Sequence, residues 1–236
     1  MRSKAFLALL FIVLLTGLAA AQKTLVVYDP TIEPEDIEPT LADDEQALYE
    51  SAILPRLKAQ FQSDICAVDP MLAGEASGSF TRKGSVQNLA FYQVCQTGNG
   101  LGIVAIVVFE KGKIVGIWGD NSGWTMNVNK IADLNSNGLD EFALSYGGGM
   151  HQGQGGIGVD IMEFGARGPV SIGWFQGERL TDTETDYAWR VTARKGKVPA
   201  FFRQKYVANR DGKLLKRGPI TAFKLTKVAS SFKSVK

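Results

Sequence analysis

Asp133, Asn135, Asn137 and Glu141 share one nine-residue stretch, Asp133-Leu134-Asn135-Ser136-Asn137-Gly138-Leu139-Asp140-Glu141. Their side chains end in hard oxygens, the donors that calcium gathers about six to eight at a time from a short loop. If the stretch coils, the first three converge on one point. Gly138 then supplies the positive φ that reverses the chain, Leu139 offers a backbone carbonyl and Glu141 a closing carboxylate. An EF-hand does not fit, because the twelfth position, which needs a bidentate glutamate, holds Leu144. The competing reading is a hairpin turn in which Asp133 and Asn135 cap backbone groups and hold no ion.

Other residue sets point to chemistry less directly. Gly153-Gln154-Gly155-Gly156-Ile157-Gly158 satisfies GxGxxG, but strand-like sequence follows where a dinucleotide site needs a helix. His151, the one histidine, has Ser145 and Asp160 near it in sequence and could serve as a general base, although no nucleophile elbow is present. An exposed loop histidine is the plainer reading. Trp118, Trp124, Trp174 and Trp189 suit either sugar stacking or a β core. Cys66 and Cys95, an even pair in an exported chain, predict one disulfide worth roughly 3–4 kcal/mol, with two buried thiols as the alternative.

Regular turn signals about every ten residues after Cys66 predict strands to the end of the chain. The fold expected is mainly β: antiparallel sheets, as a sandwich or a partial propeller-like meander, with one N-terminal helical segment. That helix runs from Asp43 to Phe61, with acids in its first turn and a kink or break at Pro55. Ile103 to Phe109 reads as a buried central strand between glycine turns. Strands are expected at Ser79–Arg82 and Ser85–Cys95, and Gly147–Gly158 is expected to be a glycine-rich loop. Three regions follow: residues 1–21 as a signal peptide, 22–65 as acidic connector plus helix, and 66–236 as a β-rich domain.

From Val115 to Gly147 the chain resembles the FG-GAP/VCBS class of repeat, known from integrin-like propellers and many bacterial surface proteins. The resemblance rests on Trp118-Gly119 and on Ile131-Ala132-Asp133-Leu134-Asn135-Ser136-Asn137-Gly138-Leu139-Asp140-Glu141-Phe142-Ala143-Leu144. It implies calcium in a loop between two strands, with Asp133, Asn135, Asn137, the Leu139 carbonyl and Glu141 as ligands. Asn137 stands where that class usually has aspartate, which implies millimolar to sub-millimolar binding. A propeller needs several such loops, and one is present, so a single blade-like unit within another β fold is expected.

The first residues, Met-Arg-Ser-Lys followed by apolar Ala5–Leu18 and Ala19-Ala20-Ala21, read as a secretory signal peptide, with a retained anchor as the alternative. A secreted or periplasmic protein with no later membrane span is therefore expected. Arg2 and Lys4 account for the formal charge of +2. Beyond them the ends differ in sign: nine acids face Lys23 alone from Gln22 to Glu50, and fourteen Lys or Arg face Asp211 alone from Arg190 to Lys236. The two ends could attract each other, stay as solvated faces, or leave the basic end for an anionic envelope polymer or glycan. No nucleic-acid motif accompanies the basic residues. The function expected is an exported, non-enzymatic binding or structural domain with one calcium-stabilised turn. The runner-up is an envelope hydrolase using carboxylates or His151.

Overall fold

The computed structural model describes residues 24–32, 39–61, 70–98, 101–121, 125–151, 154–181, 184–209 and 211–236. Among these described residues 61% are strand, every strand pairs antiparallel and one helical segment of 19 residues is present, as the sequence predicts. The strands are β1 (Thr24–Tyr28), β2 (Met71–Gly78), β3 (Gln87–Gly98), β4 (Leu101–Phe109), β5 (Ile114–Asn121), β6 (Thr125–Ile131) and β7 (Glu141–His151). They continue as β8 (Gln154–Gly165), β9 (Gly168–Thr181), β10 (Glu184–Arg194), β11 (Ala200–Ala208), β12 (Leu214–Phe223) and β13 (Lys233–Ser234).

Two sheets result. The smaller has the order β13-β5-β4-β3-β2, and the larger runs β12-β11-β10-β9-β8-β7-β6, with β1 added against β10. The smaller sheet is the middle layer. Gly102 through Phe109 of β4 are all buried because both of its faces are covered. Ala105, Val107 and Phe109 meet the helix residues Ile53 and Leu57. Val104, Ile106 and Val108 meet Phe142, Leu144, Met162 and Phe164 of the larger sheet. A third core, including Ile131, Leu134, Val159, Val191 and Phe201, fills the inside of the larger sheet, which curls into a half-barrel.

The helix passes through α1 (Asp43–Leu48), a π-helical turn (Tyr49–Ile53) and α2 (Leu54–Phe61). Pro55 gives the reason. A proline ring inside an α-helix clashes with the carbonyl four residues back, and the wider turn, with the Leu54 N–H donating to the Tyr49 carbonyl, makes room for it.

Two local expectations fail. Ser79–Arg82 is not a strand but part of the β2–β3 connection, where Gly84 takes φ +67°. Gly147–Gly158 is not a glycine-rich loop: Gly147–His151 continue β7 and Gln154–Gly158 begin β8, paired with each other. Its glycines pair because side chains would not fit: a Cβ on Gly156 would lie 2.3 Å from the Glu178 carbonyl oxygen, and one on Gly158 would lie 2.6 Å from Trp174 Nε1.

After β12 the chain bonds Thr226 to Trp174 of the larger sheet, then adds β13 to β5 of the smaller one. This last segment straps the two sheets together. Cys95 is buried in the helix-side core and disulfide-bonded, and Cys66, the only other cysteine, lies outside the described residues. The expected signal peptide, residues 1–21, also lies outside them.

Phe142 is fully buried, edge-on to Phe80 at 6.1 Å and tilted against Phe164 at 5.5 Å. Phe142→Ala is expected to cost about 3–5 kcal/mol in a urea melt. Val86→Ala, at an 83% exposed site, is expected to stay within about 0.5 kcal/mol.

Candidate functional site: the β6–β7 loop and the cleft between the sheets

The Asp133–Glu141 stretch is the connection from β6 to β7, as expected, and it is closely wound. Gly138 takes φ +86° and Ser136 takes φ +62°, a left-handed conformation uncommon outside glycine. Asx turns hold the coil: the Asn137 N–H donates to Asn135 Oδ1 at 3.0 Å, and the Leu139 N–H to Asn137 Oδ1 at 2.7 Å. The Gly138 N–H donates to Asp133 Oδ1 at 3.1 Å. Asp140 fastens the loop to the rest of the chain, accepting the Asp133 N–H at 3.1 Å and the Ser79 N–H at 2.9 Å.

Glu141 opens β7 and is 0% exposed. One oxygen, Oε2, accepts the Leu134 N–H at 2.5 Å, whereas Oε1 is buried with no hydrogen-bond partner. Burial, with smaller repulsions from Glu163 and Asp133, pushes its carboxyl up to about 7. Asp133 goes the other way. Its burial would raise it, but the Lys195 ammonium, 2.8 Å from Oδ2, and the Gly138 N–H hold it below the usual carboxylate range.

Glu163, a residue the sequence reading passed over, completes the surroundings. It lies on β8, next beyond the Phe142–Met162 pair that faces the start of β7. Its Oε2 accepts from Asn135 Nδ2 at 2.7 Å and Asn137 Nδ2 at 3.4 Å. Only strand register brings it here, so spacing within the loop gives no sign of it.

Asp133, Asn135, Asn137 and Glu141 are thus brought together with Glu163, and Leu139 lies within the same coil. The donor set suits calcium in type, being oxygen throughout. The buried, unpartnered Glu141 oxygen is the kind of group a cation would satisfy. Charge is the weaker side of the fit: among the described residues no three His, Cys, Asp or Glu are grouped to hold a metal by themselves. Calcium would have to draw on amide and backbone oxygens and take Asp133 from Lys195.

The other candidates separate. Ser145 and His151 stand on one strand, six residues and therefore about 20 Å apart along it, so with Asp160 they form no triad. The His151 side chain and Trp124 lie outside the described residues. GxGxxG leads along β8 with no helix after it, which removes the geometry a dinucleotide needs. Trp118 packs on Phe164 at 5.1 Å as core, Trp174 lines a hollow beside Gly158, and Trp189 lies beneath Arg203.

Between the sheets, under the last segment, is a cavity of about 200 Å3 lined by Asp120, Tyr146, Asp160, Ser230 and Phe232. Burial and the neighbouring Asp120 raise the Asp160 carboxyl, against the pull of the Ser171 hydroxyl. Burial and Asp160 together raise the Tyr146 phenol. A second hollow of about 200 Å3, lined by Tyr146, Gly158 and Trp174, lies beside it.

The Glu141 shift predicts a pH signature. A carboxyl raised in the folded state makes the native protein bind more protons than the unfolded chain between pH 4.5 and 7. Its contribution to stability is complete below pH 4.5 and is lost as pH rises through 7. In EDTA, Glu141→Gln should match the parent near pH 4 and exceed its stability by about 3 kcal/mol above pH 7, read from urea melts across pH.

No family model matches the chain, and no curated protein and no solved structure matches it.

Proposed function

We propose that the protein is an exported, non-enzymatic β-rich binding or structural domain in which one calcium ion orders the β6–β7 loop. The observation that carries this reading is the buried Glu141 carboxylate with Oε1 unpartnered, set against a loop of oxygen donors. Support also comes from the placement of the loop between two adjacent antiparallel strands, where the FG-GAP/VCBS class carries its calcium loop. Asp133, Asn135, Asn137, the Leu139 carbonyl and Glu141 would hold the ion, with Glu163 adding charge from β8. The ion would tie β6, β7 and β8 at one end of the larger sheet and relieve the repulsion among three carboxylates. In its absence Lys195 takes part of that role at Asp133.

A second reading rests on the cleft. Asp120 and Asp160 share one cavity with Tyr146, and a carboxyl raised by burial, as Asp160 is, suits a general acid in hydrolysis. That arrangement favours the carboxylate version of an envelope hydrolase over the His151 version.

Melting scans with calcium test the first reading. With a dissociation constant of about 0.5 mM, 10 mM calcium should add about 2 kcal/mol and raise Tm by roughly 4–8 °C over EDTA. Asp133→Ala and Glu141→Gln should each remove the rise, and Lys195→Met should bring it on at lower calcium. An unchanged Tm in the parent protein rejects the site. For the second reading, turnover of an ester, glycoside or peptide substrate that Asp160→Asn abolishes would replace the binding-domain proposal, and silence across the panel would leave the hydrolase without support.

A further inference from the structure

The basic end of the chain has a structural address that the calcium loop does not use. Strands β10, β11 and β12 form the last part of the larger sheet, and their register places side chains in rows across its concave face. Ala193, Phe201 and Phe223 form the row nearest the core. Val191, Arg203 and Thr221 form the next row, and Trp189, Lys205 and Arg217 the one after it. Within a few residues the same face changes from apolar to cationic and aromatic.

Three features of that face lack a structural explanation. Lys205 and Arg217 stand directly opposite each other, an arrangement that destabilises a sheet. Among the described residues no carboxylate forms an ion pair with Arg203, Lys205 or Arg217. Arg203 also has a buried Nε with no hydrogen-bond partner. Two of these cations, Arg203 and Lys205, are nevertheless held in place. The Arg203 guanidinium sits 4.2 Å from the Trp189 ring centroid and 5.2 Å from that of Phe223, and Lys205 Nζ sits 4.5 Å from that of Tyr187. Stacking fixes the side chains while leaving their charge uncompensated. By contrast, Arg190 and Lys195 have carboxylate partners in Asp29 and Asp133.

We propose that this face binds an anionic polysaccharide, with Arg203, Lys205 and Arg217 meeting its carboxylate or phosphate groups. An extended ligand fits because the cations follow strand spacing, about 7 Å along a strand and about 5 Å between strands. Neither cavity described above includes these residues, and Arg217 is exposed while Arg203 and Lys205 are partly so. Its concavity favours a chain over a bilayer, since a flat lipid surface cannot follow the inside of a curl. An anionic polymer also removes the cost of the opposed Lys205–Arg217 pair, which gives charge complementarity a direct energetic role.

The test is titration calorimetry in EDTA at low salt with polygalacturonate, which keeps the result independent of the calcium loop. Dextran, single-stranded DNA and vesicles containing phosphatidylglycerol serve as comparisons. The proposal expects binding to polygalacturonate that weakens as salt rises, none to dextran, and at least tenfold weaker binding to DNA and vesicles. Lys205→Gln/Arg217→Gln should weaken binding at least tenfold while folding is retained. Adding Arg203→Gln should weaken it further, and if that variant fails to fold the double variant alone decides. No binding to polygalacturonate, equal binding by the double variant, or DNA or vesicle binding as tight as the polymer's would each overturn it.

Discussion

A carboxylate taken out of water must be met by hydrogen bonds, a cation or a proton, and at Glu141 one oxygen is met and the other is not. The neighbouring residue, Phe142, is anchored in the core between the two sheets, so the carboxylate cannot swing out to solvent without disturbing that packing. Its surroundings are arranged around this fact. Leu134 donates its N–H, Asp133 is drawn to Lys195, and Glu163 occupies itself with two asparagine amides. The loop is ordered by its own Asx turns, so an arriving cation would meet donors largely in place rather than having to order a free segment.

The layered packing makes such a site tolerable. The middle sheet is buried on both faces and joined to the larger sheet by a dense aromatic core, which gives the start of β7 a rigid base. The curled sheet then presents two distinct ends. The β6–β7 loop collects acidic and amide oxygens, whereas β10–β12 collect cations, with Arg203 and Lys205 on aromatic supports. The acidic and basic ends meet at one ion pair, Arg190 with Asp29, 2.6 Å apart. It leaves Arg203, Lys205 and Arg217 unmatched among the described residues.

What could be read in advance followed from local physics. An apolar run with no alternation must be covered on both faces, and β4 is. Pro55 had to break regular α geometry, and the π turn is how it does so. The coil at Asp133–Glu141 was legible because glycine and asparagine chemistry acts within a few residues. What could not be read depended on partners distant in sequence. Gly156 and Gly158 look like loop residues until Glu178 and Trp174 are seen to occupy the space of their absent side chains. Glu163 reaches the loop only through β7–β8 register, and Asp120 meets Asp160 only because two sheets stack. The basic end was visible as charge, but its arrangement into rows required the pairing of three strands.

The most direct measurement is a crystal structure grown with calcium. The account predicts one ion about 2.3–2.6 Å from oxygens of Asp133, Asn135, Asn137, Leu139 and Glu141, with Lys195 moved away from Asp133. A map at high calcium with Lys195 still on Asp133 and no ion beside Glu141 would contradict it.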